Sequence, residues 1–89
     1  MSSNFNSLFI LSANRVKNLK SRPTNDELLK LYALYKQGTV GDCTKSEPSM
    51  FNIKEKQKWN AWKSVSGLSQ DDAKMNYIKL VKLLIEKYD

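Results

Sequence analysis

TNDELLKLYALYKQG, Thr24 to Gly38, decides the fold. It opens as a capping box. The Thr24 hydroxyl can accept a hydrogen bond from the Glu27 amide, while the Glu27 carboxylate reaches back to the Thr24 amide. Leu28, Leu29, Leu31, Tyr32, Leu34 and Tyr35 then recur at helical spacing. Gly38 is expected to end this helix as a C-terminal cap. Working outward, Leu8, Phe9, Ala13, Val16 and Leu19 predict a first helix over roughly residues 6–19, which Ser21-Arg22-Pro23 ends because proline drives the preceding residue out of the α region.

Downstream, residues 39–52 have no helical period and hold a glycine, a proline and two serines. A loop this long in a small domain is often functional. A third helix is expected over about residues 53–65, with Trp59 and Trp62 one turn apart and Gly67 closing it. Ser69-Gln70-Asp71-Asp72 caps a fourth, which carries Ala73, Tyr77, Ile78, Val81, Leu84 and Tyr88 on one broad face. No strand pattern or internal repeat is present. The prediction is an all-α four-helix bundle, a single domain over residues 1–89, with its long loop between helices two and three. Phe9, Val16, Leu19, Ile78, Val81 and Leu84 are expected to join helices one and four.

The net charge of +6 is concentrated. Arg15 to Lys36 carries six cations and two acids, and Lys54 to Lys63 carries four cations and one acid. If the two segments face each other, they form a positive site for a nucleotide, a nucleic acid or an acidic membrane; otherwise they are a solubilising surface. Cys43 is the only cysteine and histidine is absent. These counts exclude an intramolecular disulfide, an ordinary zinc site and histidine acid–base chemistry. No catalytic residues, metal ligands or cofactor site are expected. Asp71 and Asp72 read as charges favoured at a helix N-terminus. No apolar run approaches the about 18–20 residues of a spanning helix. No leader, myristoylation start or prenylation cysteine is recognised. The expectation is an untethered cytoplasmic monomer.

Tyr32, Tyr35 and Lys36 fall on one helical face, as do Lys54 and Lys58 beside Trp59. Ammonium groups bind phosphate, tyrosine hydroxyls add a hydrogen bond, and an aromatic ring offers its face to a base. The same residues also fit core aromatics with solvated lysines, and spacing alone leaves both readings open. Phosphate loops of the types GxxxxGK[ST] and GxGxxG are absent.

Lys17-Asn-Leu-Lys20, then Pro23, then Tyr32-Ala-Leu-Tyr-Lys-Gln-Gly-Thr-Val-Gly-Asp42 resembles the acyl-CoA-binding protein family. So do Lys54-x-Lys56-x-Lys58-Trp59-x-Ala61-Trp62, Gly67-Leu-Ser69 and Ala73-x-x-x-Tyr77-Ile78, in order and without gaps from about Phe9 to Tyr88. The resemblance implies an up-down-down-up bundle that holds a long-chain acyl-CoA and acts as an intracellular carrier. It assigns Tyr32, Lys36 and Lys58 to the 3′-phosphate and Tyr35 to the adenine. Lys17, Ala33, Leu34, Lys54 and Tyr77 become further ligand contacts, and Ala13, Leu28 and Leu29 line the acyl path. Nucleic acid and stable membrane insertion are not expected; transient contact with a membrane or an acyl-CoA enzyme is compatible with this carrier role. The chain departs from the family's usual residues at Gly38, Glu47, Ser49 and Glu55, and the two glutamates bring negative charge toward the expected ligand side.

Overall fold

The four helices are α1 (Ser2–Val16), α2 (Asn25–Thr39), α3 (Ile53–Lys63) and α4 (Gln70–Tyr88). The computed structural model describes the backbone of residues 2–89 and the side chains of residues 5–89. The capping box at α2 is formed on both sides: the Glu27 amide donates to Thr24 Oγ1 at 3.2 Å, and the Thr24 amide donates to Glu27 Oε1 at 2.8 Å. Ser69 caps α4 by accepting from the Asp72 amide at 3.0 Å.

Three helices differ in their bounds from the sequence expectation. The first helix begins at Ser2 and stops at Val16 rather than running 6–19. Its end is a local turn, in which the Asn18 amide donates to the Arg15 carbonyl and the Asn18 side chain donates to the Asn14 carbonyl. Asparagine competes for backbone groups in this way and ends helices. Leu19 still packs against the core from outside the helix. Gly38 is not a cap. It lies buried inside α2, which continues to Thr39. The residue that leaves the helix with positive φ is Gly41, at +99°, and its amide donates to the Gln37 carbonyl at 3.1 Å. Lastly, α3 stops at Lys63 rather than 65. The next residues wind more tightly, with Val65 and Ser66 amides donating three residues back, to Gly67 at φ +90°.

Contacts between the helix ends give the topology. Asn6 accepts from Lys74 near the starts of α1 and α4, and the Lys20 amide donates to Asp89 beyond their ends, so these helices run parallel. Glu27 at the start of α2 meets Lys87 and Tyr88 at the end of α4, and Gln70 at the start of α4 donates to Gly38. Those two helices are antiparallel. Lys58 lies over Tyr32 and Lys36 over Trp62, so α2 and α3 run parallel. The order is up-down-down-up. Spatially α1 packs on α4, α4 on α2, and α2 on α3. The Cα envelope measures 36 × 32 × 15 Å, so the helices form a slab rather than a square bundle.

Phe9, Leu31, Tyr77, Val81 and Leu84 form the buried core, with Val16, Leu19, Ile78 and Tyr88 packed against it. The α1–α4 seam expected from sequence is present, and α2 contributes Leu31 to it. Such burial is the main favourable term in holding helices this short together.

Gly38 sits where α2 crosses the start of α4. A Cβ there would stand 3.0 Å from Lys74 Cγ, the near part of a flexible side chain. Removing an interior helical glycine contributes up to about 1 kcal/mol, which a small adjustment of Lys74 offsets only in part. Gly38→Ala is therefore expected to stabilise the fold by about 0.5 kcal/mol in urea unfolding; destabilisation would mean that the α2–α4 approach has no slack.

Glu27 also carries an ionic link. Its pKa falls from the ordinary 4.5 to about 2, chiefly because Lys87 and then Tyr88 hydrogen-bond to the carboxylate. The same contact raises the Lys87 pKa. A carboxylate whose folded pKa lies below its unfolded value stabilises the fold above the unfolded value, and that contribution fades as pH falls toward the folded one. The window here runs from about 4.5 down to about 2. The Lys87 contribution is present below its unfolded pKa and lost on the alkaline side, as pH rises through its raised folded value. Glu27→Gln is expected to lower the melting temperature at neutral pH and to flatten its fall across the acid window. An unchanged acid profile would show that other carboxylates govern it.

Candidate functional site

Tyr32, Tyr35 and Lys36 stand on the face of α2 that the slab leaves open toward the end of α1. There they line a groove of about 470 Å³. From α1 come Ala13, Val16 and, just beyond it, Lys17; from α2 Leu28 and Leu31 complete the wall, and Tyr77 of α4 forms the back. A second hollow of about 220 Å³ lies between α2 and α3, lined by Arg22, Asn25, Leu28, Leu29, Tyr32, Lys54, Gln57 and Lys58. Leu28 and Tyr32 belong to both, so the two spaces adjoin at these side chains. Neither lining contains a carboxylate.

The side chains divide into three chemistries. Lys58 Nζ lies 5.5 Å from the Tyr32 ring centroid, and Lys36 Nζ lies 5.3 Å from that of Trp62. Cations over ring faces are attracted by the ring quadrupole, and this holds both ammonium groups near the α2–α3 seam. Arg22, Lys17 and Lys54 add positive charge around them. The second chemistry is aromatic. Tyr35 stacks on Phe9 with centroids 5.4 Å apart and an interplanar angle of 22°, and remains 42% exposed. It thus presents a supported ring to the groove. Tyr77 backs both rings, at 5.1 Å from Phe9 and 5.8 Å from Tyr35. Burial, with a smaller contribution from Tyr35, pushes the Tyr77 pKa up to about 12, so its hydroxyl keeps its proton. The third chemistry is the apolar wall of Ala13, Leu28 and Leu29.

The structure therefore gathers Ala13, Lys17, Leu28, Leu29, Tyr32, Tyr35, Lys36, Lys54, Lys58 and Tyr77 around the two adjoining hollows. It does not bring Ala33 and Leu34 there. Both line a further groove of about 440 Å³ among α2, α3 and α4, with Leu29, Ala61, Val65, Leu80 and Leu83, which meets the smaller hollow at Leu29. Successive helical residues point about 100° apart, so the two residues after Tyr32 turn toward α3 and α4. Sequence reasoning missed Val16, Leu31, Arg22, Asn25 and Gln57. Val16 and Leu31 read as core positions, which they also are. Gln57 had a signal, since it lies three residues after Lys54 on the same face. Arg22 and Asn25 flank Pro23 and the capping box, where their residue types are explained by the turn.

Glu55, at the start of α3, lies 3.6 Å from Lys58 Nζ, and Glu47 pairs with Lys56. Only the first of these draws on a lysine of the site. Trp62 is 3% exposed and donates to the Gly41 carbonyl at 2.8 Å; Trp59 donates to the Lys45 carbonyl at 2.9 Å. Both indoles fasten the long loop to α3, and neither lines the two hollows. Among the described residues, no group of three or more histidine, cysteine, aspartate or glutamate side chains could hold a metal ion. No described helix is long and apolar enough to cross a membrane.

Comparison with known proteins places these features among relatives. Residues 6–81 match the acyl CoA binding protein family. The chain is 58% identical over 77 residues to acyl-CoA-binding protein homolog 1 of Caenorhabditis elegans, covering 86% of this chain and 90% of that protein. It is 53% identical over 81 residues to the acyl-CoA-binding protein of Saccharomyces cerevisiae, covering 91% and 93%. The crystal structure of acyl-CoA-binding protein 2 of Oryza sativa superposes with a TM-score of 0.93 at 42% identity, over 97% of this chain and 94% of that one.

Proposed function

The chain belongs to the acyl-CoA-binding protein family, and from that premise we propose that it binds long-chain fatty acyl-CoA esters non-covalently and carries them as a monomer in the cytoplasm. The observation that carries this reading is the junction at Leu28 and Tyr32. There a cluster of cations, with Glu55 paired to Lys58 as its nearby carboxylate, meets an exposed, supported tyrosine ring and an apolar wall. A ligand with a polyanionic head, a planar base and a hydrocarbon tail uses all three.

In this reading Tyr32, Lys36 and Lys58 take the 3′-phosphate, and the open side of Tyr35 takes the adenine. Lys17 and Lys54 serve the remaining phosphates. Tyr77, only 4% exposed, supports Tyr35 and offers a small part of its surface. Ala13, Leu28 and Leu29 guide the acyl chain. Ala33 and Leu34, which the family resemblance counts among the ligand contacts, line the neighbouring groove that meets the smaller hollow at Leu29, so their contact would come from the far side of α2. Binding alone is proposed, with no bond made or broken. Burial of the tail contributes about 0.8 kcal/mol per methylene, on the order of 10 kcal/mol gross for a palmitoyl chain before ordering costs. Charge supplies recognition and hydrocarbon supplies affinity.

Isothermal titration with palmitoyl-CoA should give one-to-one binding at least about a hundredfold tighter than either CoA or palmitate alone. Equal affinity for palmitate and its CoA ester would remove the head-group site from the account. Glu55 competes with the ligand for Lys58 in an exposed pair, and such pairs contribute up to about 1 kcal/mol. Glu55→Gln is therefore expected to tighten palmitoyl-CoA binding about two- to fivefold at low salt, with the gain shrinking as salt rises. Weaker binding by this variant would mean that Glu55 positions Lys58 rather than competing for it.

A further inference from the structure

Met50, Phe51 and Ile53 are 72%, 90% and 66% exposed, an unusual concentration of large apolar surface at one place. They are not a slack stretch of loop. The Phe51 amide donates to Ser49 Oγ at 3.2 Å, and the Asn52 amide donates to the Ser49 carbonyl at 2.9 Å, so a hydrogen-bonded turn presents Met50 and Phe51 to solvent. Ile53 opens α3 directly behind them. The next residue, Lys54, lines the smaller hollow together with Arg22 and Lys58. Neither Lys54 nor Arg22 forms a salt bridge among the described residues. The apolar tip therefore stands on basic ground, at the same edge of the slab as the smaller hollow.

We propose that the Met50–Ile53 turn is a docking wedge for an anionic lipid bilayer, with Phe51, Met50 and Ile53 entering the acyl boundary and Arg22 and Lys54 lying at the level of the lipid phosphates. Two observations favour a bilayer over a protein partner. The patch is a turn of three side chains, too small for the about 800 Å² per partner of a standard protein interface. The flanking Glu47 and Glu55 are paired with Lys56 and Lys58, which leaves Arg22 and Lys54 as the cations without a salt bridge beside the turn, and basic residues beside inserted apolar side chains are the pattern that holds peripheral proteins on acidic membranes. Docked in this way, the protein turns the smaller hollow toward the lipid surface. The inference goes beyond acyl-CoA binding and does not depend on it, since the wedge acts in the ligand-free chain.

The test is co-sedimentation of the ligand-free full chain with phosphatidylcholine vesicles containing about one-third phosphatidylserine, beside pure phosphatidylcholine vesicles. The chain is expected to bind the acidic vesicles, to bind the neutral ones at least about fivefold more weakly, and to release as salt rises. Phe51→Ala/Ile53→Ala should reduce partition to acidic vesicles by about tenfold while the circular dichroism spectrum is unchanged. Phe51→Ala alone should give a smaller loss. Equal partition of the double variant and the wild type overturns the proposal, as does absence of binding to acidic vesicles. Self-association in solution that disappears in Phe51→Ala, without vesicle binding, also overturns it and makes the turn an interface between copies of the chain. Because no acyl-CoA is present, these failures are independent of the outcome of the palmitoyl-CoA titration.

Discussion

The side-chain amide of Gln37 is the tie on which the arrangement of the helices depends. Gln37 is 1% exposed near the end of α2. Its Nε2 donates to Asp42 Oδ1 at 2.7 Å and to the Leu68 carbonyl at 2.8 Å, and Asp42 Oδ1 accepts from the Gly67 amide at 2.9 Å. One buried amide thus joins α2, the start of the long loop and the turn between α3 and α4. The Gly67 and Gln37 bonds hold the Asp42 carboxyl below its ordinary pKa, so it stays an acceptor. Gln37 itself is buried and its Oε1 has no partner, so the two bonds from Nε2 are the side chain's whole compensation for desolvation, and losing either costs stability.

The recognition surface follows from that tie. With the loop held at Asp42, the Gly41 carbonyl is placed for Trp62 and the Lys45 carbonyl for Trp59, and α3 is drawn alongside α2 in parallel. Only in that register does Lys58 lie over Tyr32 and Lys36 over Trp62. At the other end of α2, Glu27 binds Lys87 and Tyr88 and fixes α2 against α4. The helix that carries the two tyrosines is therefore anchored at both ends. Its open side keeps its groove because α1 packs on α4 rather than closing over α2. The slab shape, which leaves a small protein with less interior, is also what leaves room for a ligand.

Much of this was legible in the sequence where one residue type has one local explanation. The Thr24–Glu27 capping box and the Ser69 cap follow from short-range hydrogen bonding, and both stand where their spacing places them. The helical period identified the α1–α4 seam for the same reason. Gly38 was misread because glycine serves two purposes. It frees the backbone at a helix end, which Gly41 does, and it can also stand inside a helix beside a crossing element, as Gly38 does next to Lys74. The sequence offers two glycines three residues apart and no local means of choosing. Ala33 and Leu34 line a different groove from Tyr32 because resemblance marks a run of residues, whereas a helix distributes that run over more than one face. Arg22 and Asn25 were hidden because a turn already accounted for them, and the hollow they border exists only once α3 is folded back onto α2.

The central claim is that the ligand occupies the open face of α2, across the junction at Leu28 and Tyr32, and not the groove among α2, α3 and α4. The most direct measurement is a two-dimensional amide NMR titration of the labelled protein with palmitoyl-CoA. The account expects the largest shift changes at Lys17, Tyr32, Tyr35, Lys36, Lys54 and Lys58, with small ones at Ala61, Val65, Lys79 and Leu83. Changes concentrated at the latter four, with the tyrosine face unmoved, would contradict it.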